Sequence, residues 1–405
     1  MSKKSTLKKK ILFTGGGSGG HISAATAIID GLRDRYSNVL DQILYVGSNL
    51  GMSGEKEAES LEEKIVSSSD IPFVSIRAGK LQRYLSLDTI KKVFGVLGGV
   101  IDARKVINDF KPDIIVSTGG FVTVPVAFVG WIKKIPVYIH EQTAAIGLTN
   151  KIASRFAKRV YTTFPQSAQY LPKGKALQVG NAVRKAIFSD KGKGETISAV
   201  KKMLPEKETF PIVLIAGGGQ GSHLLNIITR QMLRYLVEDF QVILQTGDNK
   251  VNRDYEILLK EKKKLPESLQ DRFLPVKFIP ANQIGYIFKN IDIYVGRAGA
   301  NFVYEMGLMR KPSILIPIPW VTHDEQNKNA QSLVDVGLGK ILPEGELTAE
   351  RLFNELKRLN QKIRSGRLRI DESKLEKNYR TDAVEKIMKD LNLESENLSR
   401  KSSGT

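Results

Sequence analysis

The chain has 405 residues, enough for two or three domains of ordinary size, and its hydrophobic fraction of 41% and charged fraction of 26% are those of a globular protein. It has no cysteine, which excludes disulfides, thiolate metal sites, iron–sulfur clusters and cysteine nucleophiles, and its four histidines are too few for a histidine-rich metal cage. The 62 Lys+Arg against 43 Asp+Glu leave a net charge of +19, so a polyanion is expected as partner: nucleic acid, an anionic membrane surface or a phosphorylated substrate.

The N-terminus, MSKKSTLKKK, is basic, but only Ile11-Leu12-Phe13 follows before a glycine-rich stretch. That run is too short for the apolar region of a signal peptide, and a cytoplasmic protein is expected. Apolar runs of strand length lie at 11–13, 42–46, 72–76, 113–118, 136–140 and 159–164, with helix-length segments such as 22–35 and 87–110 between them. The segment 114–132 carries no formal charge, yet Gly119-Gly120 and Pro125 interrupt it, so strand, glycine loop and helix are predicted there in place of a membrane span. A second series of runs, at 211–216, 241–246, 275–279, 292–296 and 312–318, begins after residue 184. Continuous apolar strands separated by helices predict an α/β class with parallel sheets covered on both faces, and the repeat predicts two Rossmann-like domains. A hinge is expected near 180–185, a polar surface connection over 191–207 and a disordered tail over 393–405.

Three glycine clusters sit between a strand and a helix. The first is Thr14-Gly15-Gly16-Gly17-Ser18-Gly19-Gly20-His21. Glycines let the backbone turn tightly and approach a ligand, and the helix N-terminus that follows offers unpaired N–H groups to an anion. No Asp or Glu stands near Val46-Gly47, so this is not a dinucleotide fingerprint. His21 lies on the first helical turn, where the dipole favours the neutral imidazole. It is read either as a general base for a hydroxyl nucleophile or as a loop hydrogen-bonder. The second cluster is 217–222, and the third is Gly296-Arg297-Ala298-Gly299-Ala300-Asn301 with Glu305 in the next helix. Glu305 is suited to accepting two ribose hydroxyls, and the alternative for it is a solvated helix glutamate. Arg297 serves either a ligand or a structural salt bridge. Residues 138–150 (YIHEQTAAIGLTN) and 317–330 (PIPWVTHDEQNKNA) bring amides and carboxylates that suit sugar hydroxyls, although helix capping accounts equally well for Asp324.

The motifs GGGSGGHI, STGGF, HEQ…GLTNK, VGNAVR, GGGQG…LN, GRAGA…E and PSILIP…EQNKNA occur in this order. Together they resemble the MurG family of bacterial glycosyltransferases, glycosyltransferase family 28, over roughly residues 10–393. The resemblance implies the GT-B fold, two Rossmann-like domains with parallel sheets facing across a cleft, divided as 8–181 and 182–373, with a helix at about 374–392 returning to the first domain. It implies inverting transfer of N-acetylglucosamine from UDP-N-acetylglucosamine to the 4-hydroxyl of the muramoyl sugar of lipid I, giving lipid II, without cofactor or metal. By the same resemblance, His21 is the base, and Gly16, Gly17, Gly120, His140 and Glu141 face the acceptor and its diphosphate. Ser18, Gly19, Gly20, His21, Thr143, Arg184, Gly219, Gln220, Ala300, Asn301, Glu305 and Gln326 contact the donor.

The chain departs from the family pattern at Thr143, where Asn is common, and at Gly219, where a serine is common. It departs also at Ala182, Gly296 and Glu325. Lys80, Leu81, Arg83, Tyr84, Leu85, Lys91 and Lys92, with Trp131, Lys133 and Lys134, form a basic and apolar set suited to an anionic leaflet at the cytoplasmic face of the inner membrane. A core helix with a solvated basic face is the plainer alternative. Other cell-wall synthesis and division proteins are further expected partners. A UDP-N-acetylglucosamine 2-epimerase or a glycolipid synthase would keep the same fold. No nucleic-acid motif is present, and nucleic acid is not expected as a partner.

Overall fold

The computed structural model describes residues 9–16, 19–37, 40–48, 63, 66, 69–77, 88–191 and 193–391, with the side chains of 88–96 and 322 outside the description. The chain divides into two compact units, one running to Arg184 and resuming at Arg380, the other spanning Lys185–Tyr379.

The first unit is built on a seven-stranded parallel sheet: β1 (Lys9–Thr14), β2 (Leu40–Gly47), β3 (Phe73–Ser75), β4 (Ile114–Ser117), β5 (Val137–Glu141), β6 (Arg159–Thr162) and β7 (Ala176–Gln178), in the order β3-β2-β1-β4-β5-β6-β7. Side chains alternate across it. Ile11 and Phe13 join a core that includes the helix Gly19–Tyr36, while Leu12 joins the opposite core with the helices Asp88–Phe110 and Thr123–Ile132. Ile11, Leu12 and Phe13 are fully buried, each contributing roughly 1.5–3 kcal/mol relative to exposure. The uncharged segment 114–132 is β4, a glycine turn and the helix Thr123–Ile132. No helix among the described residues is long and apolar enough to cross a membrane.

The second unit repeats the plan with β8 (Ile212–Ala216), β9 (Gln241–Gln245), β10 (Phe273–Val276), β11 (Ile293–Gly296), β12 (Ser313–Leu315) and β13 (Gly339–Ile341), in the order β10-β9-β8-β11-β12-β13. Its strands face the helices His223–Asp239 and Ala349–Arg364 across one shared core.

Three expectations need correction. The stretch 191–207 is not simply a connection: Glu195–Met203 is a helix that buries Ile197, Val200 and Met203, spaced three apart on one face. Strand β10 starts two residues earlier than the apolar run at 275–279 suggested, because Phe273 is fully buried opposite Val242. Pro275 is tolerated inside it because β10 is an edge strand. The helix expected over about 374–392 is two helices, Glu372–Asn378 and Ala383–Asp390. Between them Tyr379 is extended and anchored in the second unit, its ring 5.3 Å from that of Tyr304 and its hydroxyl 3.0 Å from Ser332 Oγ.

The helix Ala383–Asp390 closes the first unit. Ala383, Ile387 and Met388 enter the core beside the helix Gly19–Tyr36, and Asp390 accepts from Tyr161 Oη at 3.0 Å and pairs with Arg159 at 3.3 Å. Gly31 makes the helix contact close: a Cβ there would lie 2.4 Å from Val384 Cγ1. Gly31→Leu is therefore expected to lower stability by about 1–3 kcal/mol through overpacking. Urea unfolding followed by circular dichroism checks this, and an unchanged midpoint would show that the terminal helix does not need that contact.

Candidate active site

In each sheet the strand order reverses beside the first strand, between β1 and β4 and between β8 and β11. Open parallel sheets bind ligands at the carboxyl ends of strands at such points. The glycine clusters lie there.

In the first unit Gly16 N–H donates to Gly119 O at 3.1 Å, and Tyr45 Oη donates to Gly15 O at 3.0 Å. Gly120 has φ +92°, and a Cβ on it would lie 2.0 Å from Gly16 O. The two loops therefore meet backbone to backbone. Gly19 and Gly20 open the helix Gly19–Tyr36, while Gly17 and Ser18 lie outside the described residues.

His21 stands in the first turn of that helix, with Nδ1 2.9 Å from Gln142 Oε1. Gln142 Nε2 donates to Thr118 O at 2.9 Å and to His140 O at 3.0 Å, and lies 3.1 Å from His140 Nδ1. His140 Nε2 is 3.1 Å from Gly180 O. The His140 imidazole is pushed down to about 4, mainly by burial, with the Gly180 carbonyl raising it and the neighbouring His21 adding to the lowering. Gly119, at φ +106°, fits beneath the His21 ring: a Cβ there would lie 2.8 Å from His21 Cε1. Sequence reading singled out His21 and His140 but missed Gln142. The period-two alternation of a strand puts positions 140 and 142 on one face and 141 on the other, and that signal was available.

Glu141 faces the other way and is almost completely buried. Its carboxylate accepts from Thr143 N at 3.0 Å, Thr143 Oγ1 at 2.7 Å, Gly147 N at 3.2 Å and Asn150 Nδ2 at 2.9 Å. Thr143 Oγ1 also contacts Ala145 O. The hydroxyl of Thr143 thus caps Glu141 inside the loop, and His140, Glu141 and Thr143 lie behind the surface that they shape. Asn150 Oδ1 is buried without a partner among the described residues.

In the second unit the loop after β8 is held by Gln245, whose Nε2 donates to Gly218 O at 2.8 Å. A Cβ on Gly221 would lie 2.0 Å from Thr246 O, whereas one on Gly219 would meet nothing within 4 Å. Gly219 and Gln220 are exposed. Ser222 caps the helix His223–Asp239, and His223 Nδ1 lies 2.9 Å from the Asp254 carboxylate, a pairing that sequence reading missed. Arg297 is buried: it pairs with Glu344 and donates to Ile316 O at 3.2 Å and Ser222 Oγ at 3.3 Å. It is a structural ion pair. Gln326 Oε1 accepts from Ala298 N at 3.2 Å and Ile318 N at 3.1 Å, and Asn329 Nδ2 donates to Ala298 O at 3.1 Å. These two side chains fasten Ala298 through both its N–H and its carbonyl, which leaves the Gln326 amide nitrogen to face a ligand. Glu305 is buried in the helix Ala300–Leu308 beside Ala300, and Asn301 is half-buried, so Glu305 is not a solvated helix glutamate. Asp324 makes no side-chain cap and sits in the left-handed region with His323, at φ +57° and +59°.

Arg184 closes the first unit, and its Nε is buried without an acceptor among the described residues. Of the basic and apolar set, Lys80, Leu81, Arg83, Tyr84 and Leu85 lie outside the described residues, as do the side chains of Lys91 and Lys92. Trp131 and Ile132 are more than half exposed, as are Leu97 and Ile101 on the neighbouring helix, and Lys133 and Lys134 follow directly.

Two doubly wound units in one chain, each with glycine loops at the reversal of its strand order, give the α/β architecture of the GT-B fold. The sequence matches the glycosyltransferase family 28 N-terminal domain over residues 11–162 and the family 28 C-terminal domain over 212–390. The chain belongs to glycosyltransferase family 28. It is 35% identical over 356 residues, 87% of this chain and 92% of the relative, to a UDP-N-acetylglucosamine–N-acetylmuramyl-(pentapeptide) pyrophosphoryl-undecaprenol N-acetylglucosamine transferase of Bacillus cereus. It is equally identical, 35%, to the enzyme of that name from Staphylococcus haemolyticus, covering 94% of this chain and 99% of the relative. The crystal structure of Acinetobacter baumannii MurG superposes with a TM-score of 0.66 at 23% identity, over 94% of this chain and 98% of that one. A UDP-N-acetylglucosamine 2-epimerase from Neisseria meningitidis superposes with a TM-score of 0.58 at 13% identity, over 94% and 99%. The fold is thus shared with the epimerases, and the family match separates the chain from them.

The buried neutral His140 predicts a pH dependence of stability. The unfolded imidazole takes up a proton near 6.5, whereas the folded one refuses it down to about 4. Between these values falling pH favours the unfolded state, by up to about 3 kcal/mol in total. Chemical denaturation of the wild type and of His140→Asn over this range is expected to show a shallower loss in the variant. Parallel curves would assign the acid sensitivity to other groups.

Proposed function

We propose that the chain is an inverting hexosyltransferase that moves N-acetylglucosamine from UDP-N-acetylglucosamine to the 4-hydroxyl of the N-acetylmuramoyl sugar of lipid I, forming lipid II for peptidoglycan. The observation that carries this reading is the nearly end-to-end 35% identity to transferases named for that reaction. In one displacement, His21 removes the proton of the acceptor hydroxyl as its oxygen attacks the anomeric carbon, and UDP leaves from the opposite face. Gly16 and Gly120 leave room for the acceptor diphosphate at the N-terminus of the helix Gly19–Tyr36, with Gly19 and Gly20 at the donor side, and the roles of Gly17 and Ser18 rest on the family resemblance alone. His140, Glu141 and Thr143 hold this surface from behind. Arg184, whose Nε has no acceptor among the described residues, and the exposed loop at Gly219 and Gln220 stabilise the departing diphosphate. Ala300, Asn301 and Glu305 receive the uridine, and the Gln326 amide nitrogen donates to a sugar hydroxyl.

The acceptor is lipid-linked, so the enzyme works peripherally at the cytoplasmic face of the inner membrane, near other cell-wall synthesis and division proteins. The exposed Trp131 and Ile132 with Lys133 and Lys134 support that placement.

Radiolabelled transfer to a lipid I analogue tests the activity. His21→Ala is expected to lower kcat by about 10²–10⁴-fold. Undiminished transfer by that variant would remove His21 as base, and conversion of UDP-N-acetylglucosamine to its 2-epimer in the absence of acceptor would favour the epimerase reading. The triple variant Trp131→Ser/Lys133→Ser/Lys134→Ser is expected to bind anionic vesicles about tenfold or more weaker in sedimentation. Equal binding would move the membrane contact elsewhere.

A further inference from the structure

We infer that His140 and Gln142 are positioning residues that lock His21 in the tautomer with hydrogen on Nδ1, leaving the Nε2 lone pair for the acceptor hydroxyl. The inference rests on the reading of His21 as the base.

The lock begins at a backbone carbonyl. Gly180 O can only accept, so His140 Nε2, 3.1 Å away, carries that ring's hydrogen. In a neutral ring the other nitrogen then holds a lone pair, and His140 Nδ1 accepts from Gln142 Nε2 at 3.1 Å. The same amide nitrogen faces Thr118 O at 2.9 Å and His140 O at 3.0 Å. Its two hydrogens are shared among three acceptors. Turning the amide round would set its oxygen against two carbonyl oxygens, so the orientation is fixed by the backbone. Gln142 Oε1 therefore faces His21 Nδ1 at 2.9 Å, and because an amide oxygen only accepts, Nδ1 must donate.

Each link removes one choice. Protonation of His140 on Nδ1 would oppose the amide hydrogens, and complete burial of that ring opposes the charge. Gly119 packs under His21 with no room for a side chain, which restricts the ring's tilt. The consequence is chemical. A general base must offer a lone pair to the hydroxyl, and the other tautomer would offer an N–H.

Ring nitrogen-15 NMR of the whole chain at about pH 8, where ordinary imidazoles are neutral, reads the tautomer directly. The chain has four histidines, and the His21 signals are those lost in His21→Ala. The expected result is a protonated-type Nδ1 and an unprotonated-type Nε2, and a hydrogen on Nε2 would overturn the inference. Gln142→Met keeps the side-chain length with no donor and only a weakly accepting thioether. It is expected to give a tautomer mixture and a kcat at least about tenfold lower, with the donor KM within about twofold. An unchanged tautomer with unchanged kcat would equally overturn it. Should that variant fail to fold, the wild-type spectrum decides alone. Full activity in His21→Ala would instead overturn the base reading, and the spectrum would still decide the lock.

Discussion

Backbone meets backbone at the carboxyl ends of both sheets, and the rest of the site depends on nothing standing between. A Cβ on Gly120 would lie 2.0 Å from Gly16 O, one on Gly221 2.0 Å from Thr246 O, and one on Gly296 2.1 Å from Ala216 O. Each glycine lies at or beside the reversal of strand order, where adjacent strands send their connections to opposite faces of the sheet. Removing side chains there brings successive loops into direct contact and leaves helix N-termini open to an anion. Sheet topology determines where the crevice forms, and the glycines determine how closely two loops can share it.

Behind those loops the two units settle buried polar groups differently. In the first, Glu141 is surrounded by two backbone N–H groups, a hydroxyl and a side-chain amide, and no cation pairs with its carboxylate among the described residues. In the second, a buried guanidinium, Arg297, is matched by the Glu344 carboxylate and tied to the glycine loop through Ser222. Donor shells and matched charges both satisfy a buried ion, but they fail differently. Truncating one partner of a buried pair strands the other at a cost of about 3–5 kcal/mol, whereas the shell around Glu141 loses one donor at a time.

Much of this was readable from sequence because parallel strands covered on both faces appear as continuous apolar runs. The strands that were not read, β7 and β13, are three-residue edge strands with little buried apolar surface to announce them. The helix Glu195–Met203 was hidden by lysines and glycines around a narrow apolar stripe. At the site, His21 was legible because it ends a glycine motif. Gln142 was not, because its importance comes from three acceptors brought together by β4, β5 and the loop after them. The same holds for Asp254, which meets His223 across 31 positions of chain. Burial of Glu305 was equally invisible, since a lone helix glutamate reads as a solvated one.

The two copies of the Rossmann plan have diverged in a direction that fits two halves of a displacement. The side chain hydrogen-bonded to His21 is an amide, and behind that amide stands a second imidazole held neutral by burial. A base needs a lone pair, and neither of these neighbours brings a charge to the ring that must offer it. In the second unit Arg297, tied to the glycine loop through Ser222, is matched by Glu344, and His223 hydrogen-bonds with Asp254. Compensated in this way, Arg297 holds the loop in place without adding net charge to it. In the proposed reaction the developing charge on UDP therefore falls on oriented N–H groups and on Arg184, whose Nε has no acceptor among the described residues. Preorganised dipoles of this kind stabilise a leaving diphosphate without holding it as tightly as a cluster of free cations would, which favours release of the product nucleotide.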